Sequence, residues 1–172
     1  TTLGSNVNGA VRRISRTYEV RGMLETLTSY DSATVGSGTV VNEVESDYNG
    51  FGQLTKEYQS HSGAVVTGTS PKVEYAYANG SSGYIRKTSV TYADTTVLDY
   101  NYGSANSADD VINRVKQLKD GSTVLVDYSY LGQQQSVIAN YSGQPGVELT
   151  YSSGGSGDAG DHYTGLDRFG RI

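Results

Sequence analysis

The residues that could do chemistry in this sequence are few and widely separated. The chain has two histidines, His61 and His162, and each stands beside residues typical of turns. A lone histidine in a turn is more often a solvated side chain than a metal ligand or a general base. No Gly-x-Ser-x-Gly nucleophile elbow is found between a strand and a helix, and the stretch 153–157 is typical of a flexible loop. The sequence therefore predicts that the protein is not an enzyme and has no cofactor.

Two other kinds of site are suggested by short patterns. Asp158 and Asp161 lie in a Gly-rich stretch, and carboxylate oxygens in such a loop suit Ca²⁺. Their spacing matches no established calcium loop, so we expect no metal site, and these two residues are the candidates if one exists. Asn79 and Asn140 each begin an Asn-x-Ser sequon, and Asn79 lies in a predicted turn from which a glycan could project. Such sequons also arise by chance in a chain rich in Ser and Thr.

The composition favours β-structure and excludes several functional classes. The chain has 15 Tyr, 22 Gly and no Cys, and its formal net charge is −5. Tyr suits a sheet face that is packed on one side and wet at its edge. A nucleic-acid-binding protein would show a clustered basic face, and none is present. Without Cys there is no disulfide and no cysteine zinc site, and no apolar run approaches the ~20 residues of a membrane span.

The elements that must position these residues are predicted to be β-hairpins. The stretch 111–130 gives the strongest signal, because Asp120-Gly121 separates two alternating runs and suits a type I′ turn. No helical periodicity is found in the sequence. The predicted strands cover 11–20, 23–30, 39–48, 53–58, 72–77, 84–92, 95–102, 111–130 in two arms, 133–141 and 147–151.

Tyrosines that end strands recur at intervals of 25 to 33 residues, which is the spacing of an internal repeat. After several of them comes a glycine and then a new strand. We expect these residues to pack one repeat against the next: Tyr18, Tyr48, Tyr77, Tyr102, Tyr130, Tyr163, Gly52, Gly132 and Gly170. The sequence therefore predicts an all-β fold: consecutive antiparallel hairpins in a continuous sheet that twists or spirals. We expect one repeat array over 1–172, with about five to six units and no clear caps.

The recurring pattern Tyr-x-x-x-Gly-x-Leu/Ile resembles the YD repeats of the Rhs family, whose motif is commonly written Tyr-Asp-x-x-Gly-Arg-Leu. The best matches are the segments 166–172, 48–54 and 18–24. In Rhs toxins, insecticidal toxin C components and teneurins, such repeats form a sheet that spirals into a hollow shell. The resemblance implies a secreted or surface-associated protein, so we expect an extracellular or cell-surface location.

A hairpin repeat cannot bury its apolar face alone, and the sheet of an uncapped array ends in unpaired strand edges. We therefore expect a structural scaffold that associates with itself, end to end, into a fibre. One alternative is a fragment of an Rhs-type shell that encloses a toxin or other cargo. Another is a carbohydrate-binding surface, since Tyr rings stack on sugars while Asn and Gln bond to hydroxyls. The expected partners are further copies or neighbouring repeats, and covalent glycans if the sequons are used.

Overall fold

The computed structural model describes residues 9–133, 135–142 and 148–150 of this chain. It confirms the all-β prediction: eleven strands follow one another in one open sheet, in which neighbours in sequence are neighbours in hydrogen bonding. The strands are β1 (Arg13–Tyr18), β2 (Leu24–Tyr30), β3 (Val40–Tyr48), β4 (Leu54–Ser60), β5 (Lys72–Asn79), β6 (Ile85–Thr91), β7 (Val97–Asn101), β8 (Gln117–Asp120), β9 (Thr123–Leu131), β10 (Gln135–Tyr141) and β11 (Glu148–Thr150).

By their internal contacts, the residues divide into two compact units. The first comprises Thr1–Tyr75 and Thr91–Thr95, and the second comprises Ala76–Val90 and Thr96–Ile172. In the first unit, β1 to β4 pair antiparallel in succession, and Tyr58 is the most buried large side chain described. In the second, β7 to β11 pair antiparallel in succession, and Val90, Tyr102 and Val126 are buried.

Three hairpin turns share one geometry, which explains the glycine of the repeated pattern. They span 19–23, 49–53 and 80–84, and in each the first N–H donates to the fifth carbonyl and the fourth N–H donates to the first carbonyl. The fourth residue is Gly22, Gly52 or Gly83, with φ of 83°, 79° and 80°. Residues with a side chain rarely adopt positive φ, so glycine is the natural choice there.

The same pattern also sets the cross-strand register. Tyr18 pairs with Leu24, and Tyr48 pairs with Leu54, so the first and last residues of the pattern face each other across the hairpin. In both hairpins the register then shifts by one residue. The sequence pattern is therefore one structural unit, a hairpin end with a fixed turn and a fixed bulge.

The hairpin predicted at Asp120-Gly121 exists, but its turn differs from the prediction. Asp120 pairs with Thr123, so the loop is Gly121-Ser122. Gly121 has a φ of 56°, whereas Ser122 is not among the residues with positive φ. A type I′ turn needs positive φ at both positions, and the type II′ turn needs it at the first only. The predicted turn was therefore wrong in two ways. The loop lies one residue further along the chain, with glycine at its first position, and its φ angles do not fit a type I′ turn.

The prediction that 111–116 begins a strand was also wrong. Val111 ends a one-turn helix, α1 (Ala108–Val111), and the strand begins only at Gln117. Ser107 caps α1, because its side chain accepts a hydrogen bond from the Asp110 N–H, and two acidic residues fill the first turn. This local capping outweighs the β-propensity of Val111 and Ile112. No helix in the described part of the chain is long and apolar enough to cross a membrane.

Candidate functional site: clamps between neighbouring hairpins

Three of the repeat tyrosines tie the strand that they end to the strand before it. Each hydroxyl donates to a backbone carbonyl on or beside the preceding strand. The bonds run from Tyr48 to Leu24 (2.8 Å), from Tyr102 to Lys87 (2.7 Å) and from Tyr130 to Val115 (2.6 Å). Burial raises the pKa of Tyr102 and Tyr130 above the ordinary value, so both remain protonated donors at neutral pH. We call each of these contacts a tyrosine clamp.

In the second unit an arginine covers the ring of each tyrosine clamp. The Arg86 guanidinium carbon lies 4.1 Å from the Tyr102 ring centroid, and that of Arg114 lies 4.1 Å from the Tyr130 ring centroid. Both arginine side chains are largely buried, with 14% and 15% of their surface exposed. A guanidinium over a tyrosine face is attracted to the ring quadrupole, and the attraction is stronger when solvent is displaced.

Helix α1 supplies one carboxylate to each of these two arginines. Asp110 Oδ1 lies 2.6 Å from Arg86 Nη2, and Asp109 Oδ1 accepts from Arg114 Nε at 2.6 Å. The two carboxylates are adjacent in the chain, yet they hold arginines of two successive tyrosine clamps. The insert between β7 and β8 therefore joins these clamps into one network of two carboxylates, two guanidinium groups and two rings.

Asp110 is the most tightly held member of this network. Its residue surface is 3% exposed. The carboxylate accepts hydrogen bonds from the Ser81 side chain, from the Asn106 N–H at 2.8 Å and from Arg86. These bonds, led by the one from Ser81, lower the pKa of Asp110 to about 2, although burial acts to raise it. The carboxylate is therefore ionised at neutral pH and fully engaged in the network.

A second type of contact links a turn to the turn of the following hairpin. Arg21 donates to the Asn49 carbonyl at 2.7 Å, and Arg114 donates to the Gly132 carbonyl. Glu19 holds Arg21 through an Oε2–Nε contact of 2.8 Å. Burial acts to raise the pKa of Glu19, but the hydrogen bond and charge of Arg21 bring it below the ordinary value. An acidic residue and an arginine thus connect successive turns in both units.

Arg13 forms a related contact in the first unit. Its guanidinium carbon lies 4.0 Å from the Tyr30 ring centroid. The same group donates to three carbonyls of the loop between β2 and β3, those of Ser32, Thr34 and Ser37. This loop has few apolar residues to hold it, so the guanidinium stabilises it by satisfying carbonyls that would otherwise depend on water.

The predicted repeat residues occupy different environments. Tyr48, Tyr102 and Tyr130 form the tyrosine clamps, and burial raises the pKa of the half-buried Tyr77. Gly52 and Gly132 have positive φ, at 79° and 61°. Tyr18 differs from the others because it is 58% exposed.

Other predicted residues lie at the surface or outside the described residues. Asn79 ends β5 and Asn140 lies in β10, and both residues are exposed. Asp158, Asp161, Tyr163 and Gly170 lie outside the described residues.

The arginines and the two carboxylates of α1 were not predicted from the sequence. A signal for the carboxylates was available, because Ser107-Ala108-Asp109-Asp110 has the form of a helix N-cap followed by an acidic first turn. No comparable signal marks Arg86 or Arg114, because their role depends on which tyrosine lies on the neighbouring strand. The carbohydrate-binding alternative relied on free tyrosine faces, and arginines cover one face of Tyr102 and of Tyr130.

No family model matches this chain, and no curated protein is significantly similar to it. The resemblance to YD repeats therefore remains a prediction from the sequence.

Proposed function

We propose that this chain is an extracellular structural scaffold of YD-like β-hairpin repeats that associates end to end into a fibre. The observation that carries this proposal is the recurrence of the tyrosine clamp between successive strands in both units. Arg86, Arg114, Asp109 and Asp110 form ion pairs that join one hairpin to the next. An array in which each repeat contacts only its neighbours can continue by adding further repeats.

The outer edge of β1 is where we expect self-association. Among the described strands, β1 has a single neighbour, β2, and no described strand pairs with its outer edge, which is the kind of edge that can pair with another chain. Four of the six residues of β1 are also exposed, with Ile14 at 55%. An edge that pairs with a different part of a second copy forms a head-to-tail contact, which leads to an open filament unless the rotation closes a ring.

Negative-stain electron microscopy of the purified chain tests this proposal. We expect filaments whose length increases with protein concentration. Tyr130→Ser serves as the comparison, because losing a packed aromatic side chain costs about 3–5 kcal/mol and should abolish folding and filaments together. Monodisperse small particles of the wild-type chain at high concentration would overturn the fibre proposal.

The shell alternative predicts a different outcome in a longer chain. If the same strand edges continue covalently into further repeats, a chain with more repeats should form closed hollow particles, and this chain should not elongate by addition of copies.

Glycans at Asn79 and Asn140 are tested separately by intact mass. A mass of 18.3 kDa for the secreted material would show that neither residue is modified.

A further inference from the structure

We propose that Tyr18 is half of a tyrosine clamp, and that a second copy of this chain completes it by docking on the outer edge of β1. This inference rests on the proposed end-to-end association and identifies the residue through which it occurs.

The motif that contains Tyr18 is the structural equivalent of the one that contains Tyr48. Tyr18 pairs with Leu24 as Tyr48 pairs with Leu54, and the turns that follow have the same two backbone hydrogen bonds. Tyr48 lies on β3 and donates its hydroxyl to a carbonyl at the start of β2, the preceding strand. By equivalence, the Tyr18 hydroxyl is placed to donate to a carbonyl of a strand that precedes β1.

The described residues supply no such strand. The Tyr18 hydroxyl has no hydrogen-bond partner among them, and the residue is 58% exposed, whereas Tyr102 in a completed clamp is 8% exposed. Within the described residues the ring and the hydroxyl of Tyr18 therefore face no strand, and the internal clamps show which contact a docking strand would make.

The distribution of charge favours the C-terminal part of a second copy as the source of that strand. Residues 9–18 contain three arginines and no acidic residue, although the whole chain has a net charge of −5. Among the described residues, the exposed Arg12 and Arg16 form no ion pair. Residues 133–172 contain four acidic residues and two arginines, so this part of the chain has a formal net charge of −2. Opposite charges on the two parts favour head-to-tail docking over pairing of two identical β1 edges, which would bring like charges together.

Sedimentation velocity across a concentration series tests the role of Tyr18 in the full chain. Tyr18→Ser removes the ring and the hydroxyl, and we expect the dissociation constant for self-association to rise about tenfold or more. Tyr18→Phe removes the hydroxyl alone and should raise it by a smaller factor. The matched control is Tyr92→Ser, because Tyr92 is also exposed, at 45%, and forms no tyrosine clamp in the described structure. This control should associate as the wild type does.

Thermal unfolding of the variants below the association concentration separates docking from folding. Because Tyr18 is mostly exposed within one copy, Tyr18→Phe should unfold at the same temperature as the wild type. Association of Tyr18→Ser at wild-type strength would overturn this inference and leave the fibre proposal intact. Tyr18-dependent dimers without filaments would support the inference and contradict the fibre. A wild type that is monomeric at every concentration would contradict both.

Discussion

The tyrosine clamps show what a tyrosine supplies in this chain that a phenylalanine could not. The sequence contains 15 Tyr and 2 Phe. In the tyrosine clamps the ring packs against a neighbouring strand, and the hydroxyl donates to a backbone carbonyl on or beside that strand. Phenylalanine would supply the packing but would lose this hydrogen bond, and a hydrogen bond of this kind contributes about 0.5–1.5 kcal/mol to stability. Arginine adds to this arrangement because its flat guanidinium covers a ring and still donates to carboxylates and carbonyls.

At this scale, Asp110 predicts a pH dependence of stability. Its folded pKa of about 2 lies below its ordinary value of 3.8, so its ionised form stabilises the folded state. That contribution is present above about pH 4 and is lost as the pH falls towards 2. Asp110→Asn should therefore lower the thermal unfolding midpoint at pH 7, and the difference from the wild type should shrink as the pH approaches 2.

Asp120→Asn is the matched control for this measurement. It removes the same charge from an exposed residue at the turn between β8 and β9. Its unfolding midpoint should stay close to that of the wild type across the same pH range. A constant difference between the wild type and Asp110→Asn down to pH 2 would contradict the assignment of the acid dependence to the Asp110 carboxylate.

At the scale of elements, the glycine turns determine where each hairpin reverses. The turn 49–53 contains two glycines with different roles: Gly52 has a φ of 79°, whereas Gly50 has no positive φ. A Cβ at Gly52 would also lie 3.3 Å from Met23 Sδ, on the neighbouring turn, and a Cβ at Gly50 would meet nothing within 4 Å. The two positions therefore form a matched pair within one turn.

Gly52→Ala should lower the free energy of unfolding by about 1–2 kcal/mol, because alanine at positive φ brings its Cβ too close to the following carbonyl. Gly50→Ala should be neutral, or should stabilise the protein by about 0.4–1 kcal/mol by restricting the unfolded chain. Urea denaturation of both variants measures the difference. Equal effects of the two substitutions would show that the positive φ at residue 52 does not control this turn.

The sequence allowed the hairpin elements to be predicted, but not the contacts between them. The alternation of side chains and the Tyr-x-x-x-Gly-x-Leu pattern are local, so strands such as β2 and β3 were placed within one residue. The β-branched residues Val111 and Ile112 favour a strand, so the sequence pattern places the start of β8 too early. In the structure, the cap at Ser107 makes this segment helical instead. Arg86 could not be assigned to Tyr102 because that contact depends on the register of β6 and β7, which distant residues set together.

At the scale of the whole molecule, the sheet is a series in which each strand contacts the strands next to it in sequence. Such an array has no intrinsic end, because each added hairpin repeats the same contacts. The two ends of the sequence differ in charge: residues 9–18 contain three arginines and no acidic residue, whereas residues 133–172 have a formal net charge of −2. We therefore expect association to have one polarity and to depend on ionic strength.

Salt should weaken the self-association of the wild-type chain. Between about 0.01 M and about 0.5 M NaCl, the Debye length falls from about 30 Å to less than 10 Å, so attraction between exposed charges is screened. Arg16→Gln should raise the dissociation constant at low salt and flatten its salt dependence, since Arg16 is exposed on β1. Lys119→Gln removes an equal charge from β8, away from that edge, and should retain the wild-type dependence. Sedimentation velocity at several salt concentrations measures each dissociation constant. If the association of the wild-type chain strengthens as NaCl is added, then apolar contacts, not the β1 arginines, bring the copies together.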